Sequence, residues 1–210
     1  MSLYKTISVN PNTKVYLWKI EETLEQLLHG ITLRDNSRNR IDKMLSEVHK
    51  CGFISIRHLL KQAGYTDNDL RYDNSGRPYL TDGKKISITH SHQFTGIIIS
   101  NSEVGIDIEK QREKILRIAN KFTPLKEYRT LANDDAVIQK LTIVWCAKEA
   151  LYKLYAQEGV SFLNHIDVAD FNFEDLQTTA DISFNGSRTT FDICFFEFEG
   201  YSCAYALCQL

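Results

Sequence analysis

Proline and glycine are scarce in this chain, at three and ten of 210 residues. That scarcity excludes a collagen-like or low-complexity polypeptide. No apolar run approaches the roughly 18 residues that a membrane span needs. The opening residues, Met1-Ser2-Leu3-Tyr4-Lys5, lack the apolar stretch of a signal peptide. An excess of either charge is also missing: 25 Lys and Arg stand against 27 Asp and Glu, a formal net charge of −2. Nothing global therefore attracts nucleic acid, and any anion site has to be a local patch. The five cysteines are odd in number and have no C-x-x-C spacing, which argues against a disulfide framework and against structural zinc. Free thiols fit a reducing compartment. The expectation is a cytoplasmic protein with no membrane or nucleic-acid partner.

What is present is an ordinary core-forming composition, 43% hydrophobic and 25% charged. Linkers and low-complexity segments are lacking, so two lobes would have to pack closely. Residues 13–20 read as an opening strand, 21–29 as a helical stretch and 37–63 as a longer helical region. Residues 72–80 carry Asn, Ser, Gly and Pro and read as a turn feeding a short extended piece. β-branched alternation predicts strands at 85–90, 96–100 and 104–109. Residues 115–133 read as helical with an interruption at Thr123-Pro124, where proline can start a new helix. Residues 137–157 give the strongest helical pattern, with Leu141, Val144, Leu151 and Tyr155 facing a core. Strands follow at 166–173, 179–184, 189–197 and 202–209. Each half thus runs from a long helix to a closing hairpin, as an old internal duplication would.

Gly105-Ile106-Asp107-Ile108-Glu109 is the most informative stretch. Side chains alternate along a strand, so Asp107 and Glu109 share one face with Gly105, which leaves room there, and Ile106 and Ile108 bury on the other. Two neighbouring carboxylates repel unless a cation lies between them. Taken alone, such a pair reads as a solvated edge. In the predicted helix, Trp145, Glu149 and Lys153 are four apart and line one face. Alone, Glu149 and Lys153 would be an ordinary ion pair worth roughly 0.2–0.5 kcal/mol. Together the two segments describe an all-oxygen site suited to Mg²⁺, which commonly completes its shell with water and substrate phosphate. Lys153 would then meet a phosphate oxygen as a mobile point charge. His90 and His92 flank Ser91 at a strand end, but nothing near them has the form of a nucleophile elbow.

The ordered set Gly76-Arg77-Pro78-Tyr79, Ile88-Thr89-His90-Ser91, Gly105-Ile106-Asp107-Ile108-Glu109, Phe122-Thr123-Pro124 and Trp145-x-x-Lys148-Glu149-Ala150-x-x-Lys153 resembles the Sfp-type 4′-phosphopantetheinyl transferases. Order and approximate spacing agree across residues 76–153. The resemblance implies an α+β fold, a pseudo-dimer of two similar lobes (1–102 and 103–210). Each lobe would be a small antiparallel sheet packed with a long helix, with the active site in the cleft between them. It implies Mg²⁺ on Asp107, Glu109 and Glu149, with Glu149 and Lys153 catalytic. It implies coenzyme A as substrate, bound by Arg77, Thr89, His90 and Lys153. Here Arg77 stands for a more usual lysine and Thr89 for a more usual serine. Lys50 and Arg57 are candidates for the 3′-phosphate. The partner implied is an acyl or peptidyl carrier protein, and the implied state is a monomer. Residues 122–128, between the metal strand and the metal helix, read as candidate carrier contacts. Two other classes use parts of this pattern: another Mg²⁺-dependent phosphotransferase, and a non-catalytic carrier-binding or nucleotide-binding module.

Overall fold

A computed structural model describes residues 3–124 and 133–209 and divides the chain into two compact units, Met1–Ser102 and Glu103–Leu210. The first unit runs β1 (Leu3–Asn10), β2 (Thr13–Lys19), α1 (Leu24–Leu28), α2 (Asp35–Asp42), α3 (Glu47–Gln62), β3 (Leu70–Tyr72), β4 (Pro78–Leu80), β5 (Lys85–Ser91) and β6 (Phe94–Ser100). Its antiparallel sheet has the order β1-β2-β6-β5-β4-β3. Tyr16 of β2 lies opposite Ile97 of β6, which lies opposite Ile88 of β5. Trp18, Ile86, Ile97 and Ile99 share that face and form one core with Ile54, Leu59 and Leu60 of α3.

The second unit runs β7 (Val104–Lys110), α4 (Lys114–Ile118), a short 3-10 turn (Ala119–Lys121), α5 (Asp134–Tyr155), α6 (Phe162–His165), β8 (Ile166–Val168), β9 (Gln177–Phe184), β10 (Ser187–Phe198) and β11 (Tyr201–Cys208). Its sheet order is β7-β11-β10-β9-β8. Leu151 and Leu154 of α5 pack in one core with Ile182, Phe191, Ile193 and Phe195. In both units a strand leads into the long helix, and four antiparallel strands then return so that the last pairs with the first. The order β2-β6-β5-β4-β3 in one unit matches β7-β11-β10-β9-β8 in the other, and β1 is an addition. The α+β class and the two-lobed arrangement expected from sequence are what the chain adopts.

Several element boundaries differ from expectation. The long helical region at 37–63 is two helices, because Ser46 accepts the His49 amide and caps a new start. The strand expected at 166–173 ends at Val168. Beyond it, Asn172 and Asp175 form a reciprocal capping box that bends the chain into a 3-10 turn. β1 was not anticipated; most of its residues are exposed, so no alternating burial marks it. The helical expectation for 115–133 holds for α4, but residues 125–132 lie outside the described residues. Among the described residues, no helix is long and apolar enough to cross a membrane.

Candidate active site

The site begins with a close approach of helix to strand. A Cβ placed on Gly105 would lie 1.8 Å from the Ala150 carbonyl oxygen of α5, so only glycine fits beneath the helix there. Across the sheet, Ala206 is opposite Gly105 and Ala204 opposite Asp107, which continues the shallow floor under α5. The room expected beside Gly105 is therefore filled by the α5 backbone. The glycine brings the helix down onto the strand that carries the carboxylates.

On that face Asp107 is buried at 6% exposure, and Lys153 of α5 forms an ion pair with its Oδ1 at 2.7 Å. The same ammonium donates to the Ile106 carbonyl at 3.0 Å. One turn earlier on α5, Glu149 is half-buried. Burial pushes its carboxyl above the ordinary carboxylate range, and Asp107 and Glu109 push the same way, while Lys153 opposes them. The three acids expected to act together thus share one electrostatic field with Lys153. Beneath them, burial above all, and then Asp107, push the Cys146 thiol well above its usual range, so it is no nucleophile.

Among the described residues, no three His, Cys, Asp or Glu side chains stand close enough to hold a metal ion as they are placed. Asp107 is engaged by the Lys153 ammonium. The donor set itself fits Mg²⁺: carboxylate oxygens from a strand and from the helix lying on it, with a raised Glu149 that a cation would relieve.

Three further residues of the expected site belong to the first unit. Arg77 closes a turn in which Asp73 Oδ1 accepts the amides of Ser75 and Arg77 and the Ser75 hydroxyl, with Gly76 at a φ of 84°. Thr89 and His90 are consecutive on β5 and so face opposite sides of the sheet. Thr89 is buried. His90 is exposed on the α3 side, its ring near-parallel to that of His49 with centroids 6.3 Å apart. Gly52 of α3 lies under His90, where a Cβ would come 3.8 Å from the imidazole. Sequence reasoning missed His49, since nothing in the order of residues links it to β5. Ser91 is buried, and His92 takes the left-handed turn position of the β5–β6 hairpin at a φ of 50°. A hairpin of this kind is not a strand-to-helix elbow.

The two 3′-phosphate candidates fare differently from expectation. Arg57 is 3% exposed. Its Nε is 2.9 Å from Asp67 Oδ1, its Nη1 donates to the Phe53 carbonyl at 2.9 Å, and its guanidinium lies 3.5 Å from the Phe53 ring centroid. It is a structural residue of the first unit. Lys50 lines a surface cleft together with Glu25 and Glu47, whose charges oppose an anion.

Lys148, quoted above only as part of a motif, is fully buried. Its ammonium donates to the carbonyls of Phe122 at 2.6 Å, Ile166 at 2.8 Å and Phe162 at 2.9 Å. It ties α5 to three segments at once. Trp145 packs edge-on to Phe122 at 5.0 Å and also meets Phe162.

The model of a family described as the 4′-phosphopantetheinyl transferase superfamily matches residues 103–206, the stretch that holds Asp107, Glu109, Glu149 and Lys153. The C-terminal unit belongs to this superfamily. A curated relative, the 4′-phosphopantetheinyl transferase gsp of Aneurinibacillus migulanus, is 30% identical over 107 residues. That alignment covers 49% of this chain and 45% of the relative, so the chain spans about half the length of the protein it matches. The superfamily domain is therefore the unit in which β7 and α5 bring the acids and Lys153 together.

Proposed function

We propose that the chain transfers the 4′-phosphopantetheine arm of coenzyme A to a serine of an acyl or peptidyl carrier protein, with Mg²⁺, releasing adenosine 3′,5′-bisphosphate. The observation that carries this reading is the pairing, inside the superfamily segment, of the β7 carboxylate face with the Glu149–Lys153 row of α5.

In the proposed reaction the serine Oγ attacks the phosphorus that bears pantetheine. The new O–P bond forms as the bond to the pyrophosphate bridging oxygen breaks, and that oxygen leaves with the bisphosphate. Such transfer depends mostly on positioning and charge stabilisation. Glu149 takes the serine proton directly, or Glu109 takes it through a water. Lys153 meets the phosphate oxygens, and Arg77, His90 and Thr89 serve the nucleotide end. Asp107, Glu109 and Glu149 would hold Mg²⁺, which when bound supplies positive charge against the pyrophosphate and its departing half.

The test mixes protein, Mg²⁺, coenzyme A and a panel of apo carrier proteins, and weighs the carriers. A phosphopantetheine mass gain abolished by EDTA is expected. Asp107→Ala and Glu149→Ala should each abolish the gain while circular dichroism stays unchanged. Carriers from fatty-acid and peptide synthesis that all stay unmodified would overturn the reading, and carrier binding without mass gain would point to a binding module.

A further inference from the structure

We propose that Lys153 is an internal cation that competes with the metal for Asp107, and so couples metal binding to coenzyme A binding. The identity of the two ligands rests on the transferase reading above. The geometry supplies the rest. The ammonium is 2.7 Å from Asp107 Oδ1 and is tied to the strand backbone through Ile106, on the face that the metal would share. Asp107 is nearly buried, whereas the Lys153 side chain keeps 30% of its surface exposed. The lysine therefore has a route away from Asp107 that the aspartate does not have. Its flexible four-carbon stem makes it a mobile point charge.

Two consequences follow from charge alone. With Lys153 in place, a cation approaching Asp107, Glu109 and Glu149 meets three carboxylates offset by one ammonium; without it, the attraction is larger. A pyrophosphate offers the ammonium a second anionic partner. Drawing Lys153 off Asp107 then frees that carboxylate for the metal, and by linkage the metal strengthens pyrophosphate binding by the same factor.

The deciding measurement is calorimetric titration of Mg²⁺ into wild type, Lys153→Met and Lys153→Gln, without carrier protein, with and without coenzyme A. Glutamine removes the charge and keeps a hydrogen-bond donor on a stem one atom shorter, so it covers the case in which the methionine variant folds poorly. Both variants should bind Mg²⁺ alone more tightly than wild type, by about 5- to 150-fold, the usual span of coupling between sites. Coenzyme A should tighten Mg²⁺ binding in wild type and do so much less in the variants. Folded variants that bind Mg²⁺ no more tightly than wild type overturn the inference. If carriers are modified by wild type while the variants show no tightening, the competition fails and the transferase reading stands. If the variants tighten while wild type modifies no carrier, the reverse holds.

Discussion

The two units use the same strand–helix–meander order to opposite ends. On β2 the positions facing α3 are Tyr16 and Trp18, and Trp18 stacks on His58 of the helix at 4.9 Å. On β7 the corresponding face offers Gly105, Asp107 and Glu109 to α5. Each unit also buries an ion pair, and the pairs differ in closure. Asp67 receives Arg57 Nε at 2.9 Å and Ser37 Oγ at 3.1 Å on one oxygen, and the Arg34 amide at 3.0 Å on the other. Asp107 shares its charge with Lys153 and, together with Glu109, raises the proton affinity of Glu149. One unit uses buried charge to fix its loops. The other keeps like charges close, which is the arrangement that invites a ligand.

The largest effect expected from breaking this contrast is in the first unit. Arg57→Met leaves Asp67 as a buried charge without its guanidinium and should cost about 3–5 kcal/mol in urea unfolding. A variant that keeps its stability but loses affinity for coenzyme A would instead make Arg57 a ligand residue and erase the distinction. Gly105→Ala comes next, at about 1–3 kcal/mol or somewhat more from overpacking under α5. It should also lose carrier modification, because the helix carrying Glu149 must lift. Retained turnover would show that the close approach does not position the site.

Smaller again is the effect of Glu149→Gln on the metal-free protein. The folded state holds the Glu149 proton more tightly than the unfolded chain does, so ionising it opposes folding as pH rises above the unfolded value. The variant should therefore melt higher than wild type at about pH 7 and lose that advantage below about pH 4, where both chains hold the proton. An advantage that grows toward acid would reverse the assigned shift. Smallest is Gly52→Ala in α3. Its Cβ would meet His90 and Thr95 only at 3.8 and 3.9 Å, ordinary contact. The change should stay within about 1 kcal/mol and favour the helix. A large loss would mean that the helix–sheet contact of the first unit is as tight as that of the second.

Much of this was legible in the residues. The period of two through Gly105–Glu109 put the acids on one face, and the spacing of four from Trp145 to Lys153 put the helix row opposite. What spacing could not give was depth. Gly105 read as open room, yet the room holds the Ala150 backbone. Thr89 and His90 read as two coenzyme A contacts of one motif, and on β5 these neighbours face opposite sides of the sheet. Arg57 read as a candidate for the 3′-phosphate because a charged side chain is mostly exposed, and its partner Asp67 is ten positions away in a turn that carries no periodic signal. The break between α2 and α3 was written in Ser46, a cap residue inside an otherwise helical run.

The carbonyl cage around Lys148 has a consequence for covalent labelling. Amine-selective acylating reagents need an accessible, deprotonated nitrogen, and the Lys148 nitrogen is enclosed while Lys153 keeps part of its surface in water. In the folded protein Lys148 and Lys153, two of the three lysines of α5, should therefore differ sharply in reactivity, with Lys153 acylated and Lys148 spared. Mass-spectrometric peptide mapping after brief treatment reads this directly, and unfolding the chain in urea should make the two residues equally reactive. The stretch of α5 from Lys148 to Lys153 would thereby report both the integrity of its packing and the occupancy of its site.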